Sequence, residues 1–181
     1  MQEDQEIIDG LKSKNGREPA FRALVSKYKE RLYWHIRKIV INHDDADDTL
    51  QNTFIKVWNS IDSFREESGL YTWLYRIATN EAVTCLNQAK KRSVPGLDDV
   101  GKYLIGALRS DPYFDGDEVQ LRLQEAIATL PEKQRLVFNM RYFDDMKYQD
   151  MAEILETSVG ALKASYHHAA KKIEECLKMT E

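Results

Sequence analysis

The sequence predicts an all-α fold in two helical domains joined by an acidic linker. Three observations carry that expectation. Glycine and proline are scarce, at 8 and 4 of 181 residues, which disfavours a turn-rich β fold. Apolar residues recur at helical spacing over most of the chain. One stretch, residues 93–118, breaks that pattern and divides the chain.

Residues 3 to 92 read as a run of helices. "EPAFRALVSKYKERLYWHIRKIV" places Phe21, Leu24, Val25, Tyr28, Leu32, Ile36 and Ile39 on one face, with Pro19 in the first turn. "NHDDADDTLQNTFIKVWNSI" opens with cap-forming Asn and Asp, and its acids suit a helix N-terminus. Its inner face is Ala46, Leu50, Phe54, Val57, Trp58 and Ile61. "YTWLYRIATNEAVTCLNQAKKR" continues with Trp73, Leu74, Ile77, Ala78, Val83 and Leu86, and ends in the basic trio Lys90, Lys91 and Arg92.

Residues 93–118 hold two of the four prolines and four of the eight glycines, with six acids against two bases. They read as an acidic linker with one short helix around "YLIGAL". The expected domains are therefore 1–92 and 119–181, with 93–118 between them. In the second domain Leu130 ends a helix before Pro131, and "PEKQRLVFNMRYF" starts the next.

"YQDMAEILETSVGALKASYHHAAKKI" has the layout of a helix-turn-helix. Met151, Ala152 and Leu155 form the inner face of its first helix. Glu156 and Thr157 make the turn, and Ser158 caps the second helix. Val159, Leu162, Tyr166, Ala169 and Ile173 form a buried stripe. Gly160, Lys163, Ala164, His167, His168, Lys171 and Lys172 form the opposite one. Small residues at its start allow close approach to a major groove, and longer ones reach bases and phosphates. The same pattern fits a helical hairpin with a solvated basic face. Adjacent histidines point about 100° apart on a helix, so His167 and His168 do not form a metal pair, and no metal or cofactor is expected.

"SFREESGLYTWLYRIATNEA" interleaves Phe64, Tyr71, Trp73 and Tyr75 with Arg65, Arg76 and Asn80. Aromatic rings stack unpaired bases and polar groups read their edges; an extruded base also needs a pocket. A core helix rich in aromatics explains the pattern equally, and better for Trp73 and Ile77.

Charge and composition narrow the class. The net charge of −4 is unlike that of a protein binding DNA by charge alone. Residues 131–178 balance eight acids with eight bases, so isolated duplex affinity is expected to be weak and salt-sensitive. Cys85 and Cys176 lie far apart and read as core thiols in a reducing cytoplasm. The N-terminus lacks the apolar run of a signal peptide, and no stretch approaches a membrane span. Neither a nucleophile motif nor a phosphate loop supports an enzyme. A stand-alone helix-turn-helix regulator would leave the aromatic segment and the polar helix before it unexplained.

Three ordered segments, "DDADDTLQNTFIKVWNSIDSFR", "YTWLYRIATNEA" and "LPEKQRLVFNMRYFDDMKYQDMAEILETSVGALK", flank the acidic linker. Together they resemble the extracytoplasmic-function group of bacterial sigma-70 family transcription initiation factors over about residues 18 to 176. The resemblance implies a region 2-like domain that binds the polymerase clamp helices and the melted −10 element. It implies a region 4-like domain that binds the polymerase flap and the −35 duplex. Asp48, Gln51, Asn52 and Phe54 fall in the clamp-docking segment. Phe64 and the loop to Tyr71 match the loop that takes a flipped −10 base, and Asn80 lies where the family contacts −10 bases. Arg76, Lys90, Lys91 and Arg92 would face phosphates. Lys163, Ser165, His167 and His168 lie on the segment entering the −35 groove, with Lys171 and Lys172 beyond. Asn52 stands where members commonly carry Glu, and Ser165, His168 and Ala170 where they often carry Arg. Core RNA polymerase, promoter DNA and an anti-sigma factor are the implied partners.

Overall fold

A computed structural model describes residues 2–66, 68–93 and 100–178. Glu67 and residues 94–99, which fall in the "REESGL" loop and the expected linker, lie outside the described residues, as do 1 and 179–181. Among the described residues the chain forms nine α-helices and no strand.

The first half packs four of them: α1 (Gln2–Lys12), α2 (Arg17–Val40), α3 (His43–Ser60) and α4 (Leu70–Ser93). Helix α1 lies against α2 at Gly10, where a Cβ would stand only 2.6 Å from the Ala20 Cβ. Leu24, Leu32, Ile36, Val57, Leu74 and Ala78 have no exposed surface and form the centre of the bundle. Asn42 caps α3 by accepting a hydrogen bond from the Asp45 backbone N–H at 3.0 Å. The chain turns into α3 through a tight γ-turn at Ile41, whose φ is 66°, with the Asn42 N–H donating to the Val40 carbonyl at 2.8 Å. A β-branched residue there is strained.

A ten-residue helix, α5 (Val100–Arg109), occupies part of the acidic stretch and buries Leu104 and Leu108. Helix α6 (Glu118–Ala128) begins with a reciprocal capping box between Asp117 and Gln120. Helix α7 (Glu132–Tyr142) follows Pro131, and α8 (Tyr148–Ile154) and α9 (Val159–Lys178) complete the chain. A small core of Ala126, Ile127, Leu130, Phe138, Ala169 and Ile173 joins α6, α7 and α9.

The two halves are packed together. Met140, Met146, Met151, Ile154 and Leu162 belong to the same continuous apolar cluster as the bundle of α1–α4. Ile154 is therefore an inner-face residue of α8, alongside the expected Met151. The expectation of two core thiols needs correcting: Cys85 is half-buried and Cys176 is exposed. Cys176 sits near the end of α9, beyond the last buried residue of that helix, Ile173.

Candidate nucleic-acid interface

Helices α8 and α9 form the helix-turn-helix. Helix α8 stops at Leu155 because Glu156 turns left-handed, with φ 49°. The Thr157 N–H then donates back to the Ala152 carbonyl at 3.1 Å, closing the helix end as a glycine usually does. Ser158 Oγ accepts from the Ala161 N–H at 3.2 Å and starts α9. Leu162, Ala169 and Ile173 are buried, while Val159 and Tyr166 are half-buried. Tyr166 stacks on Phe138 with ring centroids 5.6 Å apart.

The opposite face of α9 is open. Gly160, Lys163, Ala164, His167, His168, Lys171 and Lys172 are all exposed, and Ser165 is half-buried. A Cβ at Gly160 would meet nothing within 4 Å, so the fold does not require glycine there. The His167 and His168 rings are 6.0 Å apart and diverge. Lys163 lies over the Tyr148 ring, and Lys171 is 3.9 Å from Glu175.

On α4, Asn80 is exposed, Arg76 is half-buried, and Lys91 and Arg92 are exposed near the helix end with Lys90 half-buried beside them. Phe64 is only 5% exposed. Its ring packs on Trp73 at 4.8 Å, so it serves as a wall and not as a free stacking platform. Tyr71 packs on Tyr75 at 4.3 Å with the rings tilted by 35°, under the Arg31 guanidinium. Burial pushes both phenols up from their ordinary values. A cleft of about 440 Å³ is walled by Phe64, Arg65, Glu66, Ser68, Trp73 and Arg76, with Glu153 of α8 also lining it. Its size suits a small planar ligand such as a base. Arg76 Nε has no hydrogen-bond partner.

On α3, Asp48, Gln51 and Asn52 are exposed, whereas Phe54 is half-buried and meets Phe21 edge-on at 6.3 Å. The outward apolar residue is Ile55, 58% exposed and in register with Asp48 and Gln51. The sequence reading passed over it. The available signal was an apolar side chain off the inner face, one turn beyond three polar ones.

A helix-turn-helix with an open small-and-basic face is thus paired with an aromatic-walled cleft on a second helical unit, the layout of a nucleic-acid-binding protein. The family description "Sigma-70 region 2" matches residues 24–92, and "Sigma-70, region 4" matches residues 120–173. The ECF RNA polymerase sigma-E factor of Haemophilus influenzae is 32% identical over 180 residues, covering 94% of this chain and 93% of that protein. The ECF RNA polymerase sigma factor SigW of Bacillus subtilis is 30% identical, covering 91% and 92%. CnrH, solved in complex with the cytosolic domain of CnrY, shares the fold at a TM-score of 0.72 and 20% identity over 99% of each chain. The sigma factor RpoE of Bartonella quintana, solved with the anti-sigma factor NepR, shares it at a TM-score of 0.64 and 24% identity, covering 89% of this chain and 98% of that one. The chain belongs to the ECF RNA polymerase sigma factors of the sigma-70 family. It is an initiation factor that works with RNA polymerase in promoter recognition, and not an enzyme.

Proposed function

We propose that this sigma factor acts in the cytoplasm through three surfaces of its own. The exposed face of α3, with Asp48, Gln51, Asn52 and Ile55, docks on core RNA polymerase. Asn80 and Arg76 of α4, with the cleft beside Phe64, hold unpaired −10 bases, and Lys90, Lys91 and Arg92 follow the phosphates. Helix α9 enters the −35 major groove through Lys163, Ser165, His167 and His168, with Lys171 and Lys172 on the backbone. An anti-sigma factor that covers the polymerase-binding faces belongs to the same reading.

The carrying observation is the sorting of these helices. Thirteen of the seventeen residues assigned by motif to DNA or polymerase are exposed or line the cleft, Phe54, Tyr71, Lys90 and Ser165 being half-buried, while the other face of each helix is buried. No helix among the described residues is long and apolar enough to cross a membrane. Run-off transcription from genomic promoter fragments, with core polymerase and with or without this protein, tests the reading. Stimulation of a subset of fragments is expected. Failure on every fragment refutes it.

A further inference from the structure

A second cleft, of about 900 Å³, lies between α2 and the turn that joins α5 to α6. No residue assigned above to DNA or polymerase lines it. Its volume falls within the range of small-molecule sites, roughly 300–1,000 Å³. Six rings face it: Tyr33 and Trp34 of α2, His43 of α3, Tyr113 and Phe114 of the turn, and Phe143 at the end of α7. Asp111 holds the turn against α2. Its carboxylate pairs with Arg37 and accepts from the Tyr113 N–H at 3.1 Å, while its carbonyl accepts from the Phe114 N–H at 3.3 Å.

The rings stand at steep angles to one another. Tyr33 meets Trp34 at 5.2 Å and His43 at 6.0 Å, with ring planes 76° and 72° apart. Tyr113 leans on His43 at 4.5 Å. Rings set this way wall a corner from several sides, as in the aromatic cages that take quaternary ammonium groups. Trp34 and Tyr113 remain 53% and 67% exposed. Among the described residues, no lysine or arginine lies over Tyr33, Trp34, Tyr113 or Phe114, whereas Lys38 lies over Phe143.

Charge points the same way. Arg37 is neutralised by Asp111, and Lys38 by Asp144 from outside the cleft. The exposed acids Glu30, Asp47 and Asp115 then face Lys29 alone. His43 Nδ1 lies 2.7 Å from the Tyr33 hydroxyl, and its Nε2 is 3.5 Å from Asp47. A hydroxyl that donates to Nδ1 leaves His43 neutral with its Nε2–H toward Asp47, so that carboxylate keeps its charge. The cleft is apolar in its body and negative at its rim, which repels phosphates and attracts cations.

We propose that this cleft binds an organic cation, a small molecule with a quaternary nitrogen head over Trp34 and Tyr113 and an apolar body against Tyr33 and Phe114. Glu30, Asp47 and Asp115 supply the field that selects its charge. The site stands apart from the promoter surfaces, so its failure would leave them untouched, and theirs would leave it. The test titrates the full chain with berberine, a planar quaternary nitrogen compound whose fluorescence rises in an apolar site. Anilinonaphthalene sulfonate, an anionic fluorophore, is titrated in parallel. Circular dichroism reports helix content.

One saturable berberine site is expected, at least about tenfold tighter than the sulfonate. Trp34→Leu keeps an apolar side chain on α2 but removes the ring face, and Asp115→Asn removes one rim charge at constant shape. Each is expected to weaken berberine by about fivefold at unchanged helix content. Asp115→Asn should leave the sulfonate no weaker. Absent or non-saturating berberine binding overturns the site. Equal affinity for the two probes, or a folded Trp34→Leu chain that binds berberine within about twofold of the parent, overturns cation recognition and leaves an apolar cleft only. Asp115 lies on an exposed turn, so Asp115→Asn decides by the same criterion if Trp34→Leu loses helix content.

Discussion

Ile55 offers a direct test of the proposed polymerase-docking surface. It stands 58% exposed on α3, beside Asp48, Gln51 and Asn52. Full burial of an isoleucine contributes about 1.5–3 kcal/mol. Covering the exposed part, a little over half, contributes about 1–1.7 kcal/mol, or roughly 5–20-fold in Kd. Ile55→Ser removes this apolar surface at nearly equal helix propensity. The variant should therefore melt with the parent chain and bind core polymerase roughly 5–20-fold more weakly, measured by fluorescence anisotropy of the labelled chain. The control is Lys56→Ala, one residue away and paired with Glu81 on the bundle surface. An affinity within twofold of the parent, with folding intact, would refute the placement of the docking face on this side of α3.

Three other outcomes are expected. Asn80→Ala should reduce open-complex formation, read by permanganate footprinting, by about fivefold for a lost contact of ~1 kcal/mol, with polymerase affinity unchanged; equal loss of both would make Asn80 a structural residue. Ser158→Ala should destabilise the chain by about 1 kcal/mol, because the Ala161 N–H loses its cap, and a urea midpoint unchanged from the parent would contradict the cap. Asp144 has a pH signature: burial alone would raise its carboxyl, but the His35 and Lys38 contacts outweigh it and hold the group below its ordinary value. A depressed carboxyl contributes stability above its ordinary range and loses it as pH falls through the lowered value. The urea midpoint of the parent should thus hold at neutral pH and fall in acid, and Asp144→Asn should lack that step.

Local pattern made much of the fold readable. The Asn42 cap, the Pro131 helix start and the Ser158 cap each depend on residues within three or four positions, and periodicity alone placed Leu162, Ala169 and Ile173 inside α9. What escaped the sequence was set by distant contacts. His35 and Asp144 are 109 positions apart, and neither belongs to a local motif. Ile154 joins the core because α8 is covered on a second side by the first half of the chain, and no period of α8 alone reports that second cover. Phe64 reads as the edge of a loop, yet Trp73, nine positions on, draws its ring inward. The site is split in the same way. Residues on open helix faces were legible by elimination, whereas the cleft beside Phe64 depends on how a loop and two helices meet.

The balanced charge of region 4 fits this division of labour. Eight acids offset eight bases over residues 131–178, yet the outward face of α9 carries Lys163, His167, His168, Lys171 and Lys172, with an acid, Glu175, beside only Lys171. The field at that face is positive while the long-range pull on DNA is weak. Such a surface would hold duplex at a Kd of about 10⁻⁴ M, the weak end of non-specific binding. Tethered through polymerase at an effective concentration of ~1 mM, it would be occupied about 90% of the time, with no added contact. Stronger basicity would bind duplex without polymerase and lose that dependence. The small residues Gly160 and Ala164 act in the same direction. In the proposed −35 contact they would admit the helix close to the base edges without adding charge that would hold it on DNA of any sequence.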